Sequence, residues 1–353
     1  MSQNAPQHAE PGAEAAHVGR SRPSGAPATI YDIAKAAGVN ASTVSRALSN
    51  PGRVSVKTQK KIEDAAAELN YQVNTFARAL PTGRTNTVGL IVSDITNPMY
   101  FDVIRGAEAA ASERNYTLLL AESAESAETE LLAAKRIIST VDGIILASPR
   151  LSDDQIQELA GRKPVVVLNR SVRDVHSVVA EIQTGVSEAV RHLAGLGHKK
   201  LAYVAGPERS WMSGHRWESI RERCQWSSLE VEKISSGNPT VEGGRQAAAS
   251  VRSGGATAVI CYNDLMAIGL MRELQLAGVQ VPGDVSIVGF DNIFGSDFTT
   301  PPLSTIKSPL RDAGAASLAL ILADLAGTSP PPPRGGLSTE LVIRGSSGPA
   351  PSV

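Results

Sequence analysis

Hydrophobic positions along this chain follow two rhythms. Between residues 29 and 69 they recur every three to four positions, and from residue 87 onward they gather into short runs separated by longer amphipathic stretches. The first rhythm predicts helices. Thr29 and Asp32 have the spacing of a reciprocal N-terminal cap, and Ile30, Ile33, Ala34 and Ala37 then share one face. Gly38 ends that helix, Val39 is the buried turn residue, and Asn40 caps a second helix. Ala41, Val44 and Leu48 form its inward seam, while Ser42, Thr43, Ser45 and Arg46 point outward. Two short helices about a glycine-containing turn make a helix-turn-helix. Beyond the SNPGR turn, Ser55 caps a third helix whose Ile62, Ala65, Ala66 and Leu69 close a small core.

The second rhythm predicts strands at 88–92, 116–121, 143–147, 165–168, 201–205, 231–234, 258–261 and 286–289, with helices between most of them. Such alternation means parallel sheets covered by helices, and the units suffice for two such domains. Ligands of open parallel sheets sit beyond the carboxyl ends of the strands. Those ends carry Ser93 and Asp94, Asn169 and Arg170, Asn263 and Asp264, and Asp291 and Asn292. Together with a loop SWMSGHR at 210–216, they make a polar cleft with flat apolar walls. Carboxylates and amides bond hydroxyls in pairs and an aromatic face stacks on a sugar ring, so the cleft suits a small polyhydroxylated ligand.

Residues 1–27 are rich in Ala, Pro, Gly and Ser, too poor in apolar residues to order themselves, and are expected to be a disordered tail. The stretch VNTFARALPTGRT, starting at Val73, allows barely two helical turns, which are unstable alone. It is either a plain linker or a helix held by a minor groove and a symmetry-related copy, with Leu80 as wedge. A length of 353 residues fits two or three domains, and 42 % hydrophobic with 20 % charged residues describes a soluble globular chain. No apolar run approaches the ~18 residues of a membrane span. The N-terminus lacks the apolar core of a signal peptide, so a cytoplasmic, nucleoid-associated protein without membrane contact is expected. Cys224 and Cys261 lack metal-ligand spacing and fit a reducing compartment.

Charge sharpens the picture. From residue 28 to 84, eight basic residues against four acidic ones leave +4, so the rest of a chain of net −1 carries −5. That asymmetry fits a DNA-binding head on an acidic body. Hydroxyls near a helix N-terminus suit phosphate oxygens, and Arg46 has the reach for guanine O6 and N7 in a major groove. The plainer alternative for this face is a solvated surface.

These motifs, together with VGLIVSDITNPMYFDVIRGAE, VDGIILAS, GHKKLAYVAG, CYNDLMAIG, VPGDVSIVGFDN, TTPPLSTI and LVIRGS, resemble the LacI/GalR family of bacterial transcription regulators from residue 28 to 346, in the family's order. The resemblance implies a small all-α helix-turn-helix head and an α/β core of two parallel-sheet subdomains, similar to type I periplasmic binding proteins, between which the chain crosses three times. It divides the chain into the tail (1–27), the head (28–72), a hinge helix and linker (73–86), an N-terminal subdomain (87–181 and 308–332), a C-terminal subdomain (182–307 and 333–346) and a tail (347–353). By position it implies that Ala41, Ser42 and Arg46 read bases, that Thr43, Ser45, Asn50, Ser55 and Thr58 touch phosphate, and that Ala77, Arg78 and Leu80 enter the minor groove. It implies effector contacts at Asp94, Met99, Tyr100, Asn169, Ser210, Trp211, Met212, Arg216, Asn263 and Asp291, with Arg216 as anchor because its guanidinium holds two hydroxyls in a fixed fork. The implied partners are a pseudo-palindromic operator, a small carbohydrate effector and a second copy of the chain; no cofactor, metal or membrane is implied.

Three features depart from the family pattern. Val73 stands where many members have proline, and Pro81 follows the wedge leucine. The stretch 217–234 is slightly short, which leaves the effector positions near 238–240 unassigned. No leucine heptad follows LVIRGS, so a tetramer is not expected. Asp264 and Asn292 are expected to cap helices, Met99 serves equally as core filler, and Trp217 and Trp226 are expected to pack. Gly195 and Gly197 precede a strand, the reverse of a dinucleotide fingerprint. A periplasmic binding protein and a sugar-processing enzyme are the competing classes. The first lacks its signal peptide, and the second its phosphate loop, metal cluster or paired catalytic carboxylates.

Overall fold

The computed structural model describes residues 28–49, 52–71, 84–329 and 336–352. The chain divides into two compact units, residues 1–83 and 84–353. In the first, helices α1 (Ile30–Ala37), α2 (Ala41–Ser49) and α3 (Val56–Glu68) enclose a core of Ile33, Ala34, Val44, Ala47, Ile62 and Ala65. The Asp32 carboxylate accepts from the Thr29 N–H and hydroxyl, both at 2.7 Å, which closes the N-terminal cap. Gly38 ends α1 at φ 65°, a left-handed conformation that costs a glycine little. Leu69, expected inside, is 37 % exposed. It falls at the C-cap, where the helix has ended, and Val54, Leu48 and Tyr71 cover the core instead.

The second unit holds two sheets. One runs β2-β1-β3-β4-β5, all parallel: β1 (Thr87–Val92), β2 (Thr117–Glu122), β3 (Gly143–Ala147), β4 (Val165–Leu168) and β5 (His176–Val178). The other runs β11-β10-β9-β8-β6-β7: β6 (Lys200–Ala205), β7 (Glu230–Ser235), β8 (Ala258–Cys261), β9 (Ser286–Asp291), β10 (Ser304–Lys307) and β11 (Glu340–Val342). Only the β10–β11 pair is antiparallel. Strands β3, β4 and β8 are buried along their whole length and β1 along all but its first residue, as expected of sheets covered on both faces. Three strands, β5, β10 and β11, escaped sequence reading; two of them are three residues long and sit at sheet edges.

Helices α4 (Met99–Ser112), α5 (Ala127–Ile137) and α6 (Asp153–Ala160) serve the first sheet. The second is packed by α7 (Gln183–Gly195), α8 (Trp211–Trp226), α9 (Val241–Gln246), α10 (Ala248–Gly254) and α11 (Asp264–Leu276). After β10 the chain returns to the first sheet as α12 (Leu310–Ala326), which lies against α4. Glycines permit that approach: a Cβ on Gly106 would stand 1.9 Å from the Arg311 carbonyl oxygen, and one on Gly314 would stand 2.1 Å from that of Val103. The chain thus passes between the sheets three times, after β5, after β10 and before β11. At these passages the Glu181 carboxylate accepts from the Thr184 N–H and hydroxyl and from the Ser338 hydroxyl, and Lys307 pairs with Glu340 at 2.8 Å. Residues 348 and 350 are not loose: Gly348 N–H donates to Ser286 Oγ at 3.0 Å, and Ala350 N–H to the Leu196 carbonyl at 2.8 Å.

Candidate functional site

The carboxyl ends of the two sheets face a closed cavity of about 20 Å³, room for about one water molecule. Ser93, Ser148 and Asn169 line it from the ends of β1, β3 and β4, and Tyr262, Asn263 and Asp291 from the ends of β8 and β9. Ser148, Asn169 and Asp291 have φ of 57°, 62° and 103°. Left-handed backbone at non-glycine residues costs about 1–3 kcal/mol each and gathers where side chains must be aimed. Of the expected effector positions, Met99, Tyr100, Asn169, Met212, Arg216, Asn263 and Asp291 line this cavity.

Three do not. Asp94 accepts from the Thr96 N–H and hydroxyl at 2.8 and 2.6 Å and closes its own turn. Ser210 and Trp211 line a wider, open mouth of about 730 Å³ beside the cavity, shared with Arg150, Arg170, Arg209 and His215. SWMSGHR is a helix start, not a loop: Ser210 is the N-cap of α8, its Oγ accepting from Ser213 N–H. The buried side of α8 interleaves polar Ser213, Arg216 and Ser219 with apolar Met212, Ile220 and Cys224, of which Met212 and Arg216 line the cavity, so no clean apolar stripe marks the helix in the sequence.

Arg216 is the charged centre of the cavity. Its Nη2 donates to Asp291 Oδ1 at 2.8 Å and Nη1 to the Tyr262 carbonyl oxygen. The guanidinium carbon lies 3.7 Å from the Phe290 ring centroid and 4.9 Å from that of Tyr262, so two π faces and one carboxylate hold a cation that is 5 % exposed. Burial works against the Arg216 charge, but the Asp291 carboxylate beside it, with Tyr262 and Tyr203, more than offsets this and holds its pKa above the ordinary value. Arg216 Nε is buried without a hydrogen-bond partner. Such a donor costs stability unless something fills it.

Sequence reading missed the opposite wall. Arg150 Nε and Nη2 reach Glu125 Oε2 at 2.8 and 2.6 Å, and Nη1 donates to the Ser148 carbonyl at 2.8 Å. Ser93 Oγ donates to Glu125 Oε1 at 2.7 Å and shares a 2.8 Å bond with the Tyr100 hydroxyl, whose pKa burial pushes up to about 12. Glu125 and Arg150 lie in loops, 25 residues apart, with no periodic signal to join them.

Two expected caps also serve otherwise. Asn263 is the cap of α11, accepting from Met266 N–H at 2.9 Å, and its Nδ2 donates to the Pro239 carbonyl, which brings residue 239 to the cavity. Asp264 is fully buried behind it, bonded to the Thr305 hydroxyl at 2.6 Å and Ile293 N–H at 2.8 Å. Asn292 accepts from Arg344 Nη2 at 2.7 Å. Trp217 stacks on Tyr203 at 5.9 Å, but Trp226 is 67 % exposed beneath Arg223, at the end of α8 where no second layer reaches.

In the first unit, Ser42, Ser45 and Arg46 are exposed on α2, with Ala41 and Thr43 half-buried beside them. The Ser55 hydroxyl accepts from Thr58 N–H, so these two residues first of all secure the start of α3. Arg53, Lys57, Lys60 and Lys61 are exposed around that start. Asn50, Ala77, Arg78 and Leu80, with Val73 and Pro81, lie outside the described residues. No helix among the described residues is long and apolar enough to cross a membrane, and none of their His, Cys, Asp and Glu side chains group as a metal site.

Residues 29–74 match the model of bacterial regulatory proteins of the lacI family, and residues 190–347 match a periplasmic binding protein-like domain. The chain is 33 % identical to the HTH-type transcriptional repressor CytR of Escherichia coli K12, over 91 % of this chain and 96 % of that protein. Among solved structures it resembles the lac repressor dimer bound to operator and the anti-inducer ONPF, with a TM-score of 0.81, 27 % identity, and 92 % and 100 % of the two chains covered. A LacI family regulator from Enterococcus faecium with bound ribose is 30 % identical, with a TM-score of 0.63 and coverage of 74 % and 99 %.

Burial, reinforced by Asp291, raises the Asp264 pKa from 3.8 to about 7. A carboxyl whose folded pKa is raised stabilises the fold in its protonated form, so its contribution is complete below about pH 4 and is lost as pH rises toward 7. Asn at this position keeps one donor toward Thr305 and one acceptor for Ile293 N–H. Asp264→Asn should therefore gain on the wild type by up to roughly 4 kcal/mol between pH 4 and 7 and level off above. Urea unfolding across that range checks it; a constant difference contradicts the assignment.

Proposed function

The chain belongs to the LacI family of bacterial regulatory proteins, a DNA-binding transcriptional regulator by that membership, and from this premise we propose a repressor controlled by a sugar or sugar derivative in its cleft. The observation that carries the proposal is Arg216: a buried guanidinium with an unfilled Nε donor at the meeting of the strand ends. Hydroxyls of a sugar ring supply the missing acceptor, and the surrounding amides and hydroxyls can bond the rest. The ribose held by the Enterococcus faecium relative supports this class of ligand. A nucleoside is the second reading, favoured by Trp211 and His215, which stack at 4.8 Å in the mouth and offer a flat plate to a base.

In the proposed mechanism, two heads related by a two-fold axis bind a pseudo-palindromic operator in the cytoplasm, because protein and site symmetry must agree. Arg46, Ser42 and Ala41 read bases, and the hydroxyls of Thr43, Ser45, Ser55 and Thr58 meet phosphates, which orient the head without specifying sequence. Apolar surface is available for a second copy: Leu119 and Leu120 on the edge strand β2 are each 37 % exposed, and Phe294 and Phe298 are 72 % and 68 % exposed. Since the closed cavity holds about one water, a ligand can enter only as the subdomains part. It therefore distinguishes two arrangements of the core, which is the requirement for shifting their populations. A coupling of about 1–3 kcal/mol changes operator affinity by about 5- to 150-fold.

Arg46→Ala should lose about 5- to 150-fold in discrimination between operator and random duplex while keeping salt-sensitive nonspecific binding, because one base contact goes and the phosphate contacts stay. Equal loss on both duplexes in an anisotropy titration contradicts that role. Arg216→Lys keeps a cation opposite Asp291 but loses the fork. Operator binding should persist and the ligand response weaken at least about tenfold, and an unaltered dose–response curve removes Arg216 from the site.

A further inference from the structure

Every fully charged side chain of the closed cavity is already paired within the protein. Arg216 is committed to Asp291, and Arg150 to Glu125, with side-chain exposures of 6 % and 2 % for the first pair and 6 % and 27 % for the second. Arg150 lines both the cavity and the mouth, so it stands at the boundary a ligand must cross. Three of its nitrogens are engaged, two on one Glu125 oxygen and one on the Ser148 carbonyl. In the mouth, the Arg170 charge is met by Asp153 at 2.5 Å and its Nη1 by the Leu151 carbonyl at 2.6 Å, while its Nε is buried without a partner. Arg209 is exposed there and shares the opening with Glu208 and Glu218.

An anionic ligand needs a cation whose charge is not already neutralised, and each buried guanidinium here has a carboxylate against it. Taking Arg150 would strip Glu125 of its counterion and leave a carboxylate facing the incoming phosphate where water is scarce, a double penalty of desolvation and like charge. An anion on the unfilled Arg216 Nε would either displace Asp291 or stand beside that carboxylate, which is 2 % exposed and already neutralises the guanidinium. An uncharged ligand meets no such cost. Its hydroxyls can accept from the unfilled Arg216 Nε and join the Ser93–Tyr100 and Ser148–Asn169 pairs without disturbing either ion pair.

We infer that the effector is uncharged, a sugar or nucleoside without phosphate or carboxylate, and that the Glu125–Arg150 pair is the specificity-determining element that excludes the phosphorylated form. This rests on the reading of the cleft as an effector site. Glu125 acts by withholding Arg150: neutralising it frees a nearly buried guanidinium at the cavity boundary and opens the site to anions.

Calorimetric titration of the full chain with inorganic phosphate and with the matched pairs ribose and ribose 5-phosphate, glucose and glucose 6-phosphate, cytidine and cytidine monophosphate, and adenosine and adenosine monophosphate tests this. The wild type should bind an uncharged member, with its phosphorylated partner at least about 100-fold weaker, and show no heat with millimolar inorganic phosphate. In Glu125→Gln the preference should shrink by at least about tenfold, while Glu125→Asp, which keeps the charge, should retain it. A phosphorylated member binding the wild type as tightly as its neutral partner, or inorganic phosphate binding it, overturns the inference while the effector site stands. The wild-type series decides the ligand's charge even if a variant does not fold. An unchanged preference in folded Glu125→Gln overturns the role of the pair. Binding of nothing by any of the proteins overturns the effector reading itself, and the inference with it.

Discussion

Burying a guanidinium where the ends of two sheets meet is the constraint on which this core depends. A cation so placed needs a counterion, π faces and carbonyl oxygen around it, and Arg216 has all three in Asp291, Phe290 with Tyr262, and the Tyr262 carbonyl. Asp291 is in turn tied to a passage between the subdomains: the Ser308 hydroxyl donates to its Oδ1 at 3.3 Å. Ser308 lies between β10 and α12, at one of the three places where the chain changes sheet. A ligand that engages Arg216 therefore pulls on a carboxylate bonded to the segment that must bend if the subdomains move. The Glu181–Ser338 and Lys307–Glu340 contacts tie these passages to one another laterally.

This arrangement makes the closed state self-sufficient. Each subdomain balances its own charge at the cleft, Arg150 with Glu125 and Arg216 with Asp291, around a nearly filled cavity in which the Arg216 Nε is left without a partner. Switching then becomes a contest between ligand hydroxyls and the protein's own partners, and modest differential affinity is enough to move such a balance.

Much of the fold was legible because burial on both faces leaves a plain signature. The central strands read as unbroken apolar runs, and β3, β4 and β8 have the bounds the sequence predicts. The capped helices of the first unit were equally plain, since Thr29, Asp32, Gly38 and Ser55 carry their signals in short-range chemistry. Failures fell where burial is polar or brief. The buried face of α8 mixes serines and an arginine with Met212, Ile220 and Cys224, β5 and β11 are too short to alternate, and Leu69 lies one residue past its helix. Strand-end polar residues located the cleft, and the resemblance to LacI/GalR regulators picked out Arg216, Asp291 and Asn169. Glu125 and Arg150 belong to loops whose meeting is a product of topology alone, and no local pattern announces such a pair.

The central claim is that occupancy of this cleft changes affinity for DNA. Its most direct test is the equilibrium dissociation constant for a duplex enriched from a randomised pool, measured with and without a saturating cleft ligand. The account predicts an inverted-repeat duplex whose affinity shifts by about 5- to 150-fold with ligand. Superimposable binding curves at saturation would contradict it.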